Sequence, residues 1–449
     1  MTEKVDVVVL GLGVGGEEVA GRLAEAGLAV VGVESTLVGG ECPYWGCVPT
    51  KMMIRAANLV AEARRVDGMA GHAEVAPDWE PVAARIRDEA TDDWNDQVAV
   101  DRFEGKGGRF VRGRGRLTAV STVEVDGATY EARRGIVLAT GTVPVIPPID
   151  GLAGTPYWTN RDAVEAKTLP ASMLVLGGGA VGLELAQAYA RFGVAVTVVE
   201  AMDRLLPMEE PEVSTLVHDA LDADGISVRT GVGASSVAHD GERFTVTAGV
   251  DLRAERLLVS VGRRSDLTAL GVDTVGLDRT AGALMVDEWM RAGEKLWAVG
   301  DVTGHGAFTH MAMYQAGIAV RDILGRGGPA ADYRAVPRVT FTDPEVGSVG
   351  LTEAAAREQG FAVAVGTAPV PSSARGWIHK AGNAGLIKLV ADADRGVLVG
   401  ATSAGPVGGE VLSALAVAVH GAVPIDTLRH MIYAYPTFHR GIEDALRQL

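Results

Sequence analysis

Positions 5–10, VDVVVL, form a short apolar run that ends in a cluster of glycines. Beyond the glycines, apolar side chains recur every three to four residues, and a second apolar run then ends at Glu34. A short apolar run bounded by turn residues reads as a strand, and the longer spacing reads as a helix, so this stretch predicts one strand–turn–helix–strand unit. The same pattern returns at 173–200, MLVLGGGAVGLELAQAYARFGVAVTVVE, and ends at Glu200. Two such units predict an α/β chain.

Between the units the spacing predicts a helix from 47 to about 66, polar helical sequence to 101, and β-like segments at 110–116 and 122–125, all insertions in the first domain. Proline crowds GTVPVIPPIDG at 141–151 and breaks either periodicity, which marks a crossover between domains. The chain is expected to return to its first domain after Gly262 and to end in a mixed α and β segment. That segment holds a turn-prone stretch at 342–350 and an apolar helix at 410–420. The predicted organisation is a first domain over 1–148 and 262–336, a second over 149–261 and a third over 337–449.

A length of 449 residues exceeds what one hydrophobic core supports, in keeping with several domains. Hydrophobic residues at 47%, charged residues at 22% and 58 glycines suit a globular fold with many tight turns and exclude disorder. The formal charge of -16 repels phosphate backbones and anionic membrane surfaces, so neither nucleic acid nor a membrane is an expected partner. The apolar run at 7–10 is too short for a signal-peptide core or a membrane span, and a cytoplasmic location is expected. Two cysteines make no disulfide scaffold; in a reducing compartment a close pair points to catalysis or to a metal.

In the first unit Gly11, Gly13 and Gly16 form Gly-x-Gly-x-x-Gly between a strand and a helix. The first glycine permits the turn, the second lets backbone approach a pyrophosphate, and the third allows helix and strand to pack closely. The helix N-terminus then faces the anion. Glu34, at the end of the next strand, is placed to accept hydrogen bonds from ribose hydroxyls. Gly177, Gly179, Gly182 and Glu200 repeat the arrangement, so two Rossmann-like dinucleotide-binding domains are expected. An acid at Glu200 opposes a 2'-phosphate and favours NADH over NADPH, whereas Arg204 four residues on argues the other way.

Cys42 and Cys47 lie in GGECPYWGCVPTK, at 39–51. A helix starting near Cys47 would stabilise a thiolate there through its N–H groups and dipole, and Lys51 falls one turn later on the same face. The plain alternative is a pair of buried structural cysteines; a metal site would have only half of a tetrahedral set.

The segment at 39–51 is similar to Gly-Gly-x-Cys-x-Asn-x-Gly-Cys-x-Pro-Ser/Thr-Lys, the signature of the class I pyridine nucleotide-disulfide oxidoreductases. That family includes lipoamide dehydrogenase, glutathione reductase and mercuric reductase. The resemblance runs through essentially the whole chain, by way of LATGTVP at 138–144, GLELA at 182–186, SVGRRSD at 260–266 and LWAVGDVT at 296–303. It implies FAD in the first unit and NADH or NADPH in the second, and a C-terminal α+β dimerisation domain that completes the site of a second subunit in a homodimer. It implies that Asp301 bonds the ribityl chain, that backbone at Gly115, Thr140 and Gly141 lines the FAD site, and that Gly262 is a cofactor-binding position. The plain reading of Asp301 is a helix N-cap. The resemblance further implies that Glu184 pairs with Lys51, where the alternative is a solvated helical charge. By the same analogy Cys47 is the flavin-proximal sulfur and Cys42 the interchange thiol.

The chain departs from the family near its end. The family's His-Pro-Thr supplies an acid–base for the interchange thiol; here Tyr435-Pro436-Thr437 stands in its place, and Arg440 takes roughly the position of the glutamate that orients the histidine. A phenol, with a reference pKa of about 10, is a poor base at neutral pH. His439 is a candidate replacement, with an exposed surface histidine as the alternative. Two relatives resemble this chain in the tyrosine: soluble transhydrogenases, which lack the cysteine pair, and mercuric reductases, which have the pair but add a C-terminal cysteine pair that EDALRQL lacks. Glu41 and Tyr44 stand where the family has Thr and Asn. With Trp45, Tyr435 and Phe438, Tyr44 suggests an aromatic pocket for a planar oxidant such as a quinone, against plain core packing. The expected function is an FAD-dependent NAD(P)H oxidoreductase that passes electrons through Cys42 and Cys47 to a small disulfide or other oxidant. The alternatives are direct reduction of quinones, dyes or oxygen or transhydrogenation by the flavin, and a flavoprotein subunit of a larger assembly.

Overall fold

Val7, Val8, Val9 and Leu10 are buried almost completely because the strand that holds them, Thr2–Leu10, lies in the middle of a sheet covered on both faces. Successive strand residues point to opposite faces. Val7 and Val9 therefore pack with Val19, Leu23, Phe103 and Ile318, while Val8 and Leu10 pack with Val33, Leu117, Ile136 and Val302. An unbroken apolar run is the signature of such a doubly covered parallel strand. The computed structural model describes residues 2–449. In it the chain folds into two compact units, the first comprising Met1–Pro49, Ala84–Val145 and Gly262–Tyr333, the second Thr50–Ala83, Ile146–Val261 and Arg334–Leu449.

In the first unit the sheet runs Arg291–Gly293, Leu296–Ala298, Ala128–Leu138, Thr2–Leu10, Val30–Glu34, Arg109–Arg112, with Gly115–Ala119 and Thr122–Val125 continuing as antiparallel strands from Ala128–Leu138. Helix Val14–Glu25 follows the first glycine turn. The polar sequence expected to be helical up to 101 is helical only in parts. Helices Glu80–Arg85 and Gln97–Gly105 flank a wide π-type turn, Ile86–Ala90, and three consecutive left-handed residues, Asp92, Asp93 and Trp94, with φ of 48, 54 and 56°. Non-glycine residues in that region are strained. In the first unit, Asp96 just beyond them accepts from Val38 N at 2.7 Å and from Arg112 at 2.5 Å, which fastens the segment.

The second unit holds a parallel sheet in the order Ser227–Arg229, Ala195–Val199, Ser172–Leu176, Arg256–Val259, and a five-stranded antiparallel sheet in the order Pro337–Thr340, Glu345–Gly350, Val397–Gly405, Leu386–Asp392, Val363–Pro369. The turn expected over 342–350 needs correction: from Glu345 onward it is a strand paired on both sides. Gly347 serves packing rather than turning, since a Cβ on it would lie 2.9 Å from Gly408 O at the start of helix Gly408–His420, whereas Gly350 at the strand end takes a left-handed φ of 69°. Among the described residues no helix is long and apolar enough to cross a membrane.

Charges bind the parts of the second unit together. Lys388, buried in the antiparallel sheet, meets Glu210 at 3.0 Å, Glu212 at 2.8 Å and Glu353 at 3.0 Å, and these carboxylates hold its pKa above the ordinary lysine value against the opposing effect of burial. Arg191, whose side chain is 2% exposed, reaches Asp224 at 3.0 Å, Asn58 at 2.5 Å and Asp343 at 2.7 Å; Arg65 adds a second contact to Asp343 at 2.6 Å. Burial pushes the Asp343 carboxyl up, but Arg191 and Arg65 together outweigh it and hold the group below the usual aspartate range. Asp343→Asn leaves a buried guanidinium undercompensated and is expected to cost about 3–5 kcal/mol in denaturant unfolding at neutral pH. A carboxylate whose pKa is depressed by folding adds stability above its unfolded value of about 3.9 and loses it as pH falls through the folded value. The difference between wild type and variant should therefore shrink on acidification below about pH 4.

Candidate active site

The two glycine turns share one plan. A Cβ on Gly11 would strike Ala139 O, and one on Gly16 would strike Gly11 O. On Gly177 and Gly182 a Cβ would lie 2.5 Å from Ser260 O and from Gly177 O. The middle glycines differ: the nearest atom to a Cβ on Gly13 is Gly40 Cα at 3.9 Å, and Gly179 has nothing within 4 Å. Protein thus fills the space at the first and third glycines and leaves it open at the second, where a pyrophosphate would approach the backbone. The residues fit a dinucleotide at each turn.

The acids at the strand ends do more than the sequence suggests. Glu34 accepts from Leu12 N at 2.8 Å and from Thr36 N and Oγ1 at 2.8 and 2.9 Å; Glu200 accepts from Gly178 N at 2.5 Å and Met202 N at 2.6 Å. Each carboxylate closes its own turn. Arg204, which argued for NADPH, points inward: it donates to the carbonyls of Leu206, Pro207 and Glu209 and to Ser214 Oγ at 2.6–3.3 Å.

In the first unit Gly39 N donates to Leu12 O at 2.7 Å, and a Cβ on Gly40 would lie 2.8 Å from Gly13 Cα, so the start of the cysteine segment packs on the first glycine turn. Cys42 sits in the short helix Glu41–Tyr44, and Cys47 is the first residue of helix Cys47–Arg64. Their side chains hydrogen-bond to each other. That bond, followed by burial, pushes the Cys42 thiol far above its ordinary pKa. Thr309, at the head of helix Thr309–Ile323, lies 3.4 Å from Cys47 Sγ.

Asp301 is not an N-cap. Gly300 holds that position, Asp301 begins the single turn Asp301–Thr303, and its carboxylate accepts from Thr142 Oγ1 at 2.9 Å. Burial raises its pKa, with Thr142 and Arg263 pulling the other way and Glu41 adding to the rise. Gly300 N in turn donates to the buried Gln315 at 2.7 Å. Gly141 and Gly262 have φ of 64 and 128° with nothing within 4 Å of an added Cβ; at Gly115 a Cβ would meet the Leu10 side chain. Thr140 lies between Ala139, which packs on Gly11, and Gly141. Thr142, Arg263, Thr309 and Gln315 had no signal in the sequence beyond their neighbourhood to recognised motifs.

In the second unit Lys51 Nζ lies 2.7 Å from Glu184 and 4.7 Å from the centre of the Phe341 ring, and Glu184 also accepts from Phe341 N at 2.8 Å. Glu184 is buried, which removes the reading as a solvated charge.

A model of the pyridine nucleotide-disulphide oxidoreductases matches residues 5–316, and a model of their dimerisation domain matches 336–446. The chain belongs to this family. It is similar to dihydrolipoyl dehydrogenase of Haloferax volcanii, 32% identical over 98% of this chain and 95% of that one, and to mercuric reductase of Streptomyces lividans, 33% identical over 98% and 94%. Among solved structures it is similar to RclA of Escherichia coli, a flavoprotein disulfide reductase in its Cu(II) complex, with a TM-score of 0.87, 25% identity and 99% of each chain covered. As a pyridine nucleotide-disulphide oxidoreductase, the chain is an FAD-dependent enzyme that moves electrons from a pyridine nucleotide by way of the flavin to a disulfide.

Against the family frame the aromatic pocket is corrected. Tyr44 and Trp45 are buried, 5.8 Å apart between ring centres, and belong to the core of the first unit; Phe438 is half-buried against the core of the dimerisation domain. Tyr435 alone of the four is exposed, at 70%, with the Arg440 guanidinium 5.5 Å from its ring centre. Arg440 pairs with Glu443 at 3.0 Å, and His439, half-buried, lies 6.3 Å from the Tyr433 ring.

The two kinds of glycine should separate in experiment. Gly13→Ala fills only the open space, so it should change the melting of FAD-free protein by less than about 1 kcal/mol while weakening FAD retention by about tenfold or more. Gly16→Ala drives a Cβ into Gly11 O and should destabilise the FAD-free protein itself by about 1–3 kcal/mol.

Proposed function

We propose that this enzyme uses NADH to reduce a small-molecule oxidant through the Cys42–Cys47 pair, as a cytoplasmic homodimer. The observation that carries the reading is the placement of the two thiols, Cys42 in the short helix Glu41–Tyr44 and Cys47 at the head of helix Cys47–Arg64 beside Thr309. When the disulfide opens, two electrons and one proton enter, the S–S bond breaks, and a thiol and a thiolate result; the bond to Cys47 and burial favour the proton on Cys42. Cys47, the first residue of a helix, is where the backbone N–H groups favour an anion. Cys42 is then the interchange thiol and Cys47 the sulfur that faces the flavin.

FAD in the first glycine turn supplies the two-electron relay between nicotinamide and disulfide. Gly11, Gly13, Gly16, Glu34, Gly115, Thr140, Gly141 and Asp301 would hold it, and Gly177, Gly179, Gly182, Glu200 and Gly262 would hold the nicotinamide cofactor. Lys51, held by buried Glu184 at 2.7 Å, is assigned to the reactive edge of the ring system. NADH is favoured because Glu200 places a buried carboxylate at the strand end and Arg204 spends its donors on the loop carbonyls instead of on a ribose phosphate. The loop is further anchored by Glu209 to Arg338 at 2.6 Å and by Glu210 to Lys388.

Exposed Val417, Met431, Ile432 and Tyr435 form an apolar face on the dimerisation domain, with Ile432 95% exposed, which supports burial against a second subunit. Tyr435 and His439 would then stand at the acceptor end, Tyr435 in the place of the family's base. Disulfides, quinones and metal ions all deserve trial as acceptors, the last because relatives are named for mercury or solved with Cu(II).

Anaerobic titration with NADH should produce a long-wavelength absorbance band at two electrons, from the Cys47 thiolate against oxidised flavin. NADPH should reach the same end point at least about tenfold less efficiently. Cys42→Ser should keep rapid flavin reduction and lose turnover with the physiological acceptor by at least about 10²-fold. Bleaching of the flavin without the band, together with full turnover in Cys42→Ser, would reject the disulfide route in favour of direct transfer from the flavin.

A further inference from the structure

Glu41 is an acid in an unfavourable place. Gly39 and Gly40, the two residues before it, pack on the first glycine turn, where the pyrophosphate of a dinucleotide brings its own negative charge. A second carboxylate, Asp301, lies in the same unit with its pKa already raised by burial, and Glu41 raises it further. Bringing two carboxylates and a pyrophosphate into one unit favours a cation among them.

Arg263 is that cation. Its Nη2 lies 3.8 Å from Glu41 Oε1, a distance that compensates charge without a hydrogen bond. The same guanidinium grips Thr142 by two atoms, Nε to Oγ1 at 2.9 Å and Nη2 to the carbonyl at 2.8 Å. With its hydroxyl accepting from Arg263, Thr142 turns its own proton to Asp301 at 2.9 Å. The order Glu41, Arg263, Thr142, Asp301 is a continuous polar chain from the cysteine segment to the flavin-side acid. Backbone fixes its middle: Arg263–Arg264 pairs with Val143–Pro144 in a short antiparallel ladder, and Val145 N donates to Gly262 O at 2.9 Å. The guanidinium is therefore aimed by the crossover ladder and by the planar fork of arginine, which a lysine does not reproduce.

We propose that Arg263 is a positioning residue for the flavin cofactor, neutralising Glu41 and orienting Asp301 through Thr142, so that the acid beside Cys42 is tolerated next to the dinucleotide. This rests on the reading that the first glycine turn holds FAD.

The test measures FAD affinity by equilibrium ultrafiltration on the full-length protein, with melting of each FAD-free variant as the folding control. Arg263→Met should weaken FAD about tenfold or more, and adding Glu41→Gln should restore affinity to within about threefold of wild type, because the charge that needed compensation is gone. Arg263→Lys should fall between, keeping the charge and losing the two-atom grip on Thr142. Thr142→Val, which changes no charge, should also weaken FAD and shift the flavin midpoint potential. Wild-type affinity in Arg263→Met, or no recovery in the double variant, would overturn the proposal and leave Arg263 a structural residue. Wild-type protein that binds no FAD would instead overturn the assignment of the glycine turn.

Discussion

A carboxylate from the second strand of each dinucleotide unit reaches back to a backbone N–H in the glycine turn, Glu34 to Leu12 and Glu200 to Gly178, both across a spacing of 22 residues. The turn between strand and helix leaves N–H groups that the helix cannot satisfy. Buried carboxylate oxygens meet that need with charge-assisted bonds. Each acid is thus part of the turn itself, beside the open space at the middle glycine.

Reach along the chain separates what was legible in the sequence from what was not. Glycines, strand runs and the terminal acids are local patterns, and the two βαβ units, the helix from Cys47 and the strands around 110–125 lie where periodicity puts them. The polar contacts around the thiols and around Asp301 are long-range instead: Thr309 meets Cys47 across 262 positions, Thr142 meets Asp301 across 159, and Arg263 meets Thr142 across 121. Single threonines and arginines carry no periodic signal, so only the fold reveals them. Glycine misled in the other direction at 342–350, where Gly347 allows a helix to approach a strand rather than the chain to turn. Aromatic residues misled too: Tyr44 and Trp45 sit within a chemical motif yet fill core, because a short helix carrying one thiol must still be seated on something apolar.

The C-terminal motif shows how a family site can change character while keeping its frame. In place of a histidine oriented by a glutamate stand an exposed phenol and a guanidinium against its ring, with Glu443 as the guanidinium's counterion. Such a pair presents an aromatic ring and a cation at the surface in one place.

Lys388 has a consequence for how this chain can be recombined. Its amine lies inside the sheet of the dimerisation domain, while two of its three carboxylates, Glu210 and Glu212, come from the segment that follows the second nucleotide unit. A chimera that takes one of these modules from a relative inherits either a buried ammonium with a single carboxylate or two glutamates facing an apolar wall. The modules are separate in sequence but not as heritable parts: the lysine and its glutamates must be exchanged together, or replaced together by residues that need no charge.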